Sequence, residues 1–234
     1  MNDEINLDNP VWHSLSETHH DFALKYNNIR FYHPQYCPFG AIEKGKEHSA
    51  SLEEYSKLID NFFIVGEKPV ITNRLHLKKQ LICLQMISPV KIESTKNENI
   101  IHLNAAHSDE LFKLVNEIQP GYFMKKTFLL GDYFGIFKNG QLVAVTGERM
   151  KMKNYTEVSA IVTHPNYRGK GYAKHLIAHT VNKIINQDKK AFLHVAETNI
   201  SAINLYESLG FITRRKISFW NVVREGGFEL GAGV

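Results

Sequence analysis

Cysteine is scarce in this sequence, which excludes several kinds of site. The chain of 234 residues contains two cysteines, Cys37 and Cys83, and they form no metal-binding or redox motif. A scaffold held together by several disulfides is therefore excluded, and reduced thiols are the simplest interpretation. Because thiols stay reduced inside the cell, this usage predicts a cytoplasmic protein.

Long hydrophobic runs are also lacking. The longest apolar stretch, residues 81–90, is interrupted by Gln85 and Ser88 and is too short to cross a bilayer. Residues 1–4 are acidic and contain no apolar segment of the kind that a secretory signal needs. We therefore expect neither secretion nor a membrane partner.

Long blocks of like charge are absent as well. The 28 basic and 24 acidic side chains give a net charge of +4. A pI near 8.9 fits a nucleic-acid-binding protein, but no basic stripe or recognition helix supports that hypothesis, so we expect no nucleic-acid partner. The net charge is −2 over residues 1–100 and +6 over residues 101–234, so the second part suits a small anionic ligand.

The sequence has enough apolar residues, 43%, to build one large domain or two small ones. The polar stretch 91–99 is the best candidate boundary. It divides the chain into an N-terminal region (1–95), a second domain (100–224) and a C-terminal tail (225–234).

The N-terminal region gives few clear signals. Ser51 and Glu54 resemble a capping box, which predicts a helix over residues 51–62. Residues 75–87 are compatible with either a strand or a helix. Residues 30–40 are rich in Tyr, His and Pro and predict an irregular loop lined by aromatic rings.

The second domain has a sharper pattern of strands and helices. A helix is predicted over residues 108–118 with Ser108 as its N-cap, and the Asn139–Gly140 pair between two apolar runs predicts a hairpin. A strand–helix–strand unit over residues 157–196 implies a parallel pair of strands with a right-handed crossover. Further strands are predicted at 100–103, 133–137, 142–145 and 212–223. The pattern as a whole predicts an α/β or α+β fold.

A glycine-containing turn, residues 168–173, follows the strand 157–163. Gly169, Gly171 and the small Ala173 let the backbone approach a ligand closely, and the N–H groups at the start of the next helix suit a phosphate. The geometry of a tight turn would explain the same glycines, and the turn alone does not decide between these interpretations. It is neither a Walker loop nor a complete dinucleotide-binding fingerprint.

A second block, residues 199–211, follows the predicted strand 191–196. Asn199 or Ser201 can cap a short helix, and Gly210 stands at its C-terminal end. Together the two blocks resemble the GNAT family of acetyl-coenzyme-A-dependent N-acetyltransferases. Residues 168–173 match the family's pyrophosphate motif Gln/Arg-x-x-Gly-x-Gly/Ala, and residues 199–211 match its later signature Asn-x-x-Ala-x-x-x-Tyr-x-x-x-Gly-Phe.

The resemblance covers about residues 100–224. It implies a mixed, twisted central sheet flanked by helices, with an additional α/β region before it. The segment from Phe211, with its basic residues 214–216, is similar to the glycine-N-acyltransferase-like branch, but less specifically. For residues 1–95 a degenerate second GNAT-like half and an acceptor-side domain are both hypotheses.

The resemblance also implies how acetyl-CoA, the expected co-substrate, is held. The backbone of residues 161–163 would pair with its pantetheine arm like an added strand, and the amides of residues 168–174 would hold its pyrophosphate. Asn199 would contact the arm, cap the helix, or do both. The expected cofactor-binding residues are Ile161, Val162, Thr163, Arg168, Gly169, Lys170, Gly171, Tyr172, Ala173, Lys174 and Asn199.

Acetyl transfer to an amine needs a proton acceptor, a group that stabilises the oxyanion and a proton donor for the departing thiolate. The resemblance implies Tyr206 as the general acid and Glu157 as the general base, a role that would suit Glu157 especially if burial raised its pKa. An aromatic packing residue and an ordinary strand-end charge are the alternatives. Glu148 and Glu197 are weaker candidates for the base, and the oxyanion donor is expected to be the backbone N–H of Val162.

Two other groups of side chains are candidates for sites. His175 and His179 are four residues apart on a helix, but no third ligand accompanies them, so we expect no metal. The aromatic residues of the segment 31–39 either line the acceptor pocket or pack between domains, and packing is favoured. They are Phe31, Tyr32, Tyr36 and Phe39.

We therefore predict an N-acetyltransferase that transfers an acetyl group from acetyl-CoA to a primary amine, directly within a ternary complex. The acceptor is a small molecule, an amino acid or a peptide N-terminus. The alternative is a catalytically silent acyl-CoA-binding or regulatory module, which would not need Tyr206 or Glu157. An exposed sheet edge in the segment 212–223 would support a homodimer.

Overall fold

A single mixed β-sheet organises residues 3–88, 90–93 and 98–224, which are the residues that the computed structural model describes. The strands are β1 (Ala23–Tyr26), β2 (Ile29–Tyr32), β3 (Phe39–Ile42), β4 (Asn61–Val65), β5 (Leu75–Ser88), β6 (Ile101–Leu103), β7 (Tyr133–Lys138), β8 (Gln141–Lys151), β9 (Tyr155–Thr163), β10 (Lys190–Ala196) and β11 (Ile212–Arg224). The α-helices are α1 (Pro10–Ser16), α2 (Ser49–Ser56), α3 (Ser108–Ile118), α4 (Tyr172–Ile185) and α5 (Ile200–Ser208). Short 3-10 helices cover Asp3–Asp8, His20–Phe22, Ala105–His107, Thr127–Leu130 and Pro165–Tyr167.

The strand order is β1-β2-β3-β4-β11-β5-β10-β9-β8-β7-β6. Two neighbouring pairs are parallel, β3 with β4 and β9 with β10, and each pair is connected through a helix, α2 and α4 respectively. The parallel pair predicted over residues 157–196 is therefore confirmed. The remaining neighbouring strands pair antiparallel, so the sheet is mixed. Together with the helices it forms the α+β fold that the sequence predicted.

Strand β5 connects the two parts of the chain. Residues 75–87, which the sequence left undecided, are a strand that lies between β10 and β11. A shared core reinforces this junction, because Leu7 and Val11 pack in one buried cluster with Met150 and Phe192. The division into regions at 95–100 stays a prediction. Residues 94–97 and the predicted tail 225–234 lie outside the described residues.

The N-terminal region departs from the sequence prediction in two places. Helix α2 covers Ser49–Ser56 instead of 51–62, and His48 rather than Ser51 occupies the N-cap position. The helix ends early because the apolar residues that follow form β4, which pairs with β3 and β11 and is almost wholly buried. The predicted loop 30–40 is irregular only in its middle, since its ends belong to β2 and β3.

The second domain follows the prediction closely. The β7–β8 hairpin turns at Asn139 and Gly140, which have φ angles of 52° and 76°. Positive φ at both positions matches the twist of the flanking strands. Helix α3 starts at Ser108, but Ser108 is not its N-cap; the side chain of Asn104 instead accepts a hydrogen bond from Ala106 in the preceding 3-10 helix.

Strand β11 lies inside the sheet, flanked by β4 and β5. Strand β5 pairs along β11 from Ile212 to Arg224, whereas the β4 register covers Phe219–Val223, so the expected edge is covered over that second half of the segment. The homodimer stays a prediction. Within the described residues, no helix combines the length and the apolar character needed to cross a membrane.

Candidate active site

Strands β9 and β10 separate after a short paired stretch. Their parallel register runs from Lys190↔Tyr155 to Phe192↔Glu157, although β9 continues to Thr163 and β10 to Ala196. Beyond Glu157 the two strands therefore offer unpaired backbone groups to the gap between them. Unpaired N–H and C=O groups of this kind can bind an extended chain that carries amides.

A β-bulge at Ala160 bends β9 at this gap. The register against β8 passes from Val145↔Val162 to Gly147↔Ser159, so β9 has one residue more than β8 at this point. Ala160 has a φ of 50°, which is unusual for a residue with a Cβ atom. Such bulges redirect backbone and side-chain groups and are frequent next to active sites.

A cavity of about 910 Å³ opens at the gap between the strands. Its lining includes Glu157 and Ile161 from β9, His194 from β10, and Asn199 and Tyr206 at helix α5. Further lining residues come from β4, β5, β11 and the loop 119–125, which are elements outside the two sequence motifs. The structure thus brings both predicted catalytic residues to one cavity.

The predicted pyrophosphate turn has the geometry of an anion site. Gly169 and Gly171 have φ angles of 75° and 83°, and Gly171 is the N-cap of α4 with no side-chain cap hydrogen bond. The first amides of a helix have no partner within the helix, so these N–H groups are available to a ligand. Arg168, Lys170 and Lys174 are exposed at this turn.

The expected cofactor residues lie in three places: Ile161 and Asn199 at the cavity, Val162 and Thr163 at the end of β9, and the others at this turn. Ile161 and Asn199 line the cavity, and Asn199 also caps α5 by accepting a hydrogen bond from the Ala202 amide. The side chain of Val162 is buried against α3, and Tyr172 is buried between α4 and the sheet. For these two residues only the backbone is left to bind a cofactor.

Tyr206 is 7% exposed and lines the cavity. It packs against Phe211, with ring centroids 5.9 Å apart, so it also has the packing role that was its alternative. Burial raises the pKa of Tyr206 to about 12. Its hydroxyl is therefore protonated at neutral pH and has a proton to donate.

Glu157 is 1% exposed and forms a two-bond ion pair with Arg149, whose Nε and Nη2 atoms donate to its two oxygens at 2.8 Å. His194 Nδ1 lies 2.8 Å from Oε1 of the same carboxylate. Burial alone would raise the pKa of Glu157, but the charge and hydrogen bonds of Arg149, helped by His194, lower it to about 2. Glu157 therefore does not have the raised pKa that would make it a strong base.

A buried hydrogen-bond chain fixes the protonation of His194. Arg214 Nη1 donates to Oε1 of Gln85, which leaves the Gln85 amide nitrogen to donate to Leu7 O and, at 3.1 Å, to Nε2 of His194. Because Nε2 accepts this hydrogen bond, the ring proton is on Nδ1 and points at Glu157. His194 is thus held in the tautomer that supports an ionised Glu157.

Cys83 also lines the cavity, and burial raises its pKa to about 12. At neutral pH it is a thiol, which is a poor nucleophile. Cys37 is fully buried in the core, where burial likewise raises its pKa to about 12.

The other candidates lie elsewhere. Glu148 is fully buried and binds Lys151 and Lys183, and Glu197 pairs with Lys216; neither lines the cavity. Of the aromatic residues in the segment 31–39, Phe39 lines the cavity, whereas Phe31 stacks on Tyr55 with centroids 3.6 Å apart.

His179 packs edge-on against Phe134, at 4.5 Å between ring centroids. Among the described residues no group of three or more His, Cys, Asp or Glu side chains has the arrangement of a metal site.

Sequence reasoning missed Arg149, His194 and Gln85. Each lies in a strand whose local sequence gives no sign of a functional residue. Their contacts join β5, β8, β9 and β10, and these strands come from separate parts of the sequence. One available signal was a charged or polar residue inside a predicted buried strand, as for His194 in the segment 191–196.

The separated strands β9 and β10, the glycine turn before α4 and the cavity together indicate an acyltransferase. The FR47-like protein family matches residues 133–220. The structure of a protein assigned to the GNAT acetyltransferase family from Novosphingobium aromaticivorans DSM 12444 is similar over 94% of this chain and 98% of that one, at 30% identity and a TM-score of 0.84. The chain belongs to the GNAT family.

More distant structures show the same fold. A GCN5-related N-acetyltransferase-like protein from Streptococcus suis 89/1591 has a TM-score of 0.61 at 14% identity, over 90% of this chain and 92% of that one. A GCN5-related N-acetyltransferase from Kribbella flavida has a TM-score of 0.61 at 12% identity, over 97% of both chains. No curated protein sequence is significantly similar to this chain.

Proposed function

We propose that this protein is an N-acetyltransferase that transfers an acetyl group from acetyl-CoA to a primary amine within a ternary complex. The observation that carries the proposal is the gap between β9 and β10, which opens onto a cavity lined by both Glu157 and Tyr206. A purely regulatory acyl-CoA-binding module would need the gap but not these two side chains.

The chain has suitable groups for each part of acetyl-CoA. The amides of residues 168–174 would hold the pyrophosphate at the α4 N-terminus, with Arg168, Lys170 and Lys174 as flanking cations. The backbone of Ile161, Val162 and Thr163, on the side of β9 that faces the gap, would bind the amides of the pantetheine arm. Asn199, which caps α5, lies on the same cavity wall.

Acetyl-CoA supplies the thioester carbonyl that the acceptor amine attacks; a C–N bond forms and the C–S bond breaks. Glu157 would accept the hydrogen bond of the attacking nitrogen and stabilise its developing positive charge. Because its pKa is about 2, Glu157 would pass the proton on to water instead of keeping it. A backbone N–H of the bulge, with Val162 as the expected donor, would bind the carbonyl oxygen, and Tyr206 would protonate the departing thiolate.

The state of the cavity cysteine supports direct transfer. Cys83 has a pKa near 12, so a thiolate that could form an acyl-enzyme is scarce at neutral pH. Glu157 and Tyr206 need no covalent intermediate for the roles given above.

A thermal-shift titration followed by a thiol-release assay tests the proposal. Acetyl-CoA at about 100 times its Kd should stabilise the protein by roughly 2.7 kcal/mol. For a chain of this size the Tm should rise by roughly 5 °C or more. No shift at millimolar acetyl-CoA would reject the function, and a shift without thiol release across an amine panel would favour the regulatory module.

A further inference from the structure

The N-terminal 3-10 helix (Asp3–Asp8) holds the amide of Gln85 from two sides. The carbonyl oxygen of Leu7 accepts a hydrogen bond from Gln85 Nε2 at 2.8 Å. The carboxylate of Asp8 lies 2.7 Å from Nη2 of Arg214, and Nη1 of the same guanidinium donates to Gln85 Oε1 at 3.0 Å. Gln85 and Leu7 are fully buried, so bulk water cannot take the place of these partners.

These contacts fix which way the Gln85 amide points. In the reversed orientation its oxygen would face the Leu7 carbonyl oxygen, and its NH2 group would face the guanidinium of Arg214. Two acceptors or two donors in contact inside the protein are costly. The orientation is therefore set by the N-terminal helix and Arg214, independently of His194.

His194 must adapt to that orientation. The second N–H of the Gln85 amide donates to Nε2 of His194 at 3.1 Å, so this ring nitrogen cannot carry a proton as well. The imidazole side chain is 2% exposed, and its Nδ1 bonds Oε1 of Glu157. His194 is thus a neutral donor, and among the described residues Arg149 is the one cation in contact with the Glu157 carboxylate.

A neutral His194 suits the proposed reaction. Positive charge develops on the acceptor nitrogen beside Glu157, and an imidazolium at position 194 would add a like charge next to it. In a site shielded from water, such repulsion is stronger than in solution. A neutral imidazole keeps the carboxylate in place without opposing that charge.

We propose that Gln85 is a positioning residue for acetyl transfer, and that the N-terminal 3-10 helix acts on Glu157 through it. The helix and Arg214 orient Gln85, Gln85 keeps His194 neutral, and His194 holds the Glu157 carboxylate. The inference rests on the proposed acetyltransferase function. It gives the first residues of the N-terminal region a role in the site.

Nitrogen-15 NMR of the native protein tests the first step without any substrate. The shifts of the two ring nitrogens of a histidine depend on which of them carries the proton. At pH 7, His194 should show a protonated Nδ1 and an unprotonated Nε2, with its signals identified by their loss in His194→Gln. A proton on Nε2, alone or together with Nδ1, would overturn the inference.

Kinetics of Gln85→Glu test the second step. This change keeps the shape of the side chain and its contact with Arg214, but it puts a carboxylate oxygen where an N–H group faced His194. Nε2 should then take up a proton, which the same spectra would show. We expect kcat to fall by about tenfold or more, because the imidazolium repels the charge that develops on the amine. The KM of the amine should change less, and the Kd of acetyl-CoA should stay unchanged.

Two matched controls accompany the variants. Gln80→Glu, at an exposed position of the same strand outside the cavity lining, should keep the native kcat. Asp8→Asn loosens the hold on Arg214 and should lower kcat, by less than Gln85→Glu does. Asp60→Asn removes a carboxylate paired with Arg224 and should leave kcat unchanged.

An unchanged kcat in Gln85→Glu, or a His194 that gains no proton there, would overturn the inference while leaving the acetyltransferase in place. If that variant does not fold, an unchanged kcat in Asp8→Asn would overturn it instead. If acetyl-CoA neither binds nor reacts, the proposed function fails and the catalytic role of Gln85 fails with it, although the spectrum of His194 would still report the orientation of the amide.

Discussion

His194 donates a hydrogen bond to the same oxygen of Glu157 that Nη2 of Arg149 contacts, and both distances are 2.8 Å. The carboxylate is therefore held by donors on two sides, which explains an ionised Glu157 despite its burial. In the proposed mechanism such a group stabilises positive charge on the acceptor nitrogen better than it stores a proton.

Removal of the Glu157 charge should therefore slow acetyl transfer. We expect Glu157→Gln to lower kcat by about 10²–10⁴-fold with little change in the Kd of acetyl-CoA. Because the variant leaves Arg149 without a buried partner, it should also lose about 3–5 kcal/mol of stability. Steady-state kinetics below the Tm of the variant measure the first effect, and urea denaturation measures the second.

Two further variants separate these effects. Glu197→Gln removes a carboxylate outside the cavity lining and should keep its activity. Arg149→Met combined with Glu157→Gln removes both charges and should recover stability without recovering kcat. Full activity in Glu157→Gln would exclude the residue from the mechanism.

The lowered pKa of Glu157 also predicts how stability depends on pH. A carboxyl whose pKa falls on folding stabilises the native state above its unfolded pKa, near 4.5, and this contribution is lost as the pH falls toward 2. A difference of this size corresponds to about 3 kcal/mol. The difference in unfolding free energy between the native protein and Glu157→Gln should stay constant from pH 6 to 8 and shrink below about pH 4. A difference that instead changes between pH 6 and 8 would contradict the assignment.

Tyr206 should act on the chemical step and not on cofactor binding. Because burial raises its pKa to about 12, the hydroxyl should stay protonated and kcat should show no alkaline fall from Tyr206 below about pH 10. Tyr206→Phe should lower kcat by about 10²-fold or more and leave the Kd of acetyl-CoA nearly unchanged. Tyr26→Phe, on β1, is the matched control, and an unchanged kcat in Tyr206→Phe would remove the hydroxyl from the mechanism.

The turn at the start of α4 offers a comparison between two glycines. Gly171 and Gly140 have similar φ angles, 83° and 76°, so alanine at either position should cost about 1–2 kcal/mol. Only Gly171→Ala alters the expected phosphate turn, and it alone should raise the Kd of acetyl-CoA, by about tenfold or more. Equal affinities in the two variants would show that the glycine serves the turn and not the ligand.

The sequence predicted the elements whose signals are local. The Asn139–Gly140 turn and the helix cap expected at Asn199 or Ser201 each depend on residues a few positions apart; the structure has the turn, and the cap is Asn199. The predicted helix 51–62 extends beyond α2, which ends at Ser56. The apolar Phe62 fits the end of a helix as well as the start of a strand. The pairing of β4 with β3 and β11 makes this segment a strand, and the local sequence does not reveal that pairing.

The candidate site shows the same difference between local signals and contacts that join distant segments. The resemblance to the GNAT family was enough to indicate Tyr206 and Glu157, and both reach the cavity. The low pKa of Glu157 depends on Arg149 across the β8–β9 ladder and on His194 across the β9–β10 pair, and neither partner is visible in the local sequence. Lys78 and Lys79 of β5 line the cavity beside a bulge, and they were missed because a bulge is defined by the partner strand.

A second buried carboxylate provides a final contrast. Glu148 is 0% exposed and is held by Lys183 and Lys151 at 2.6 and 2.7 Å, with Asp132 as a further partner of Lys183. Since it lies outside the cavity lining, Lys183→Met should cost about 3–5 kcal/mol of unfolding free energy by leaving a buried charge short of a partner. Its kcat and KM at temperatures well below the Tm should match those of the native protein. A large loss of kcat in a folded Lys183→Met variant would return Glu148 to the list of candidate bases, whereas stability loss alone would assign this network to the fold.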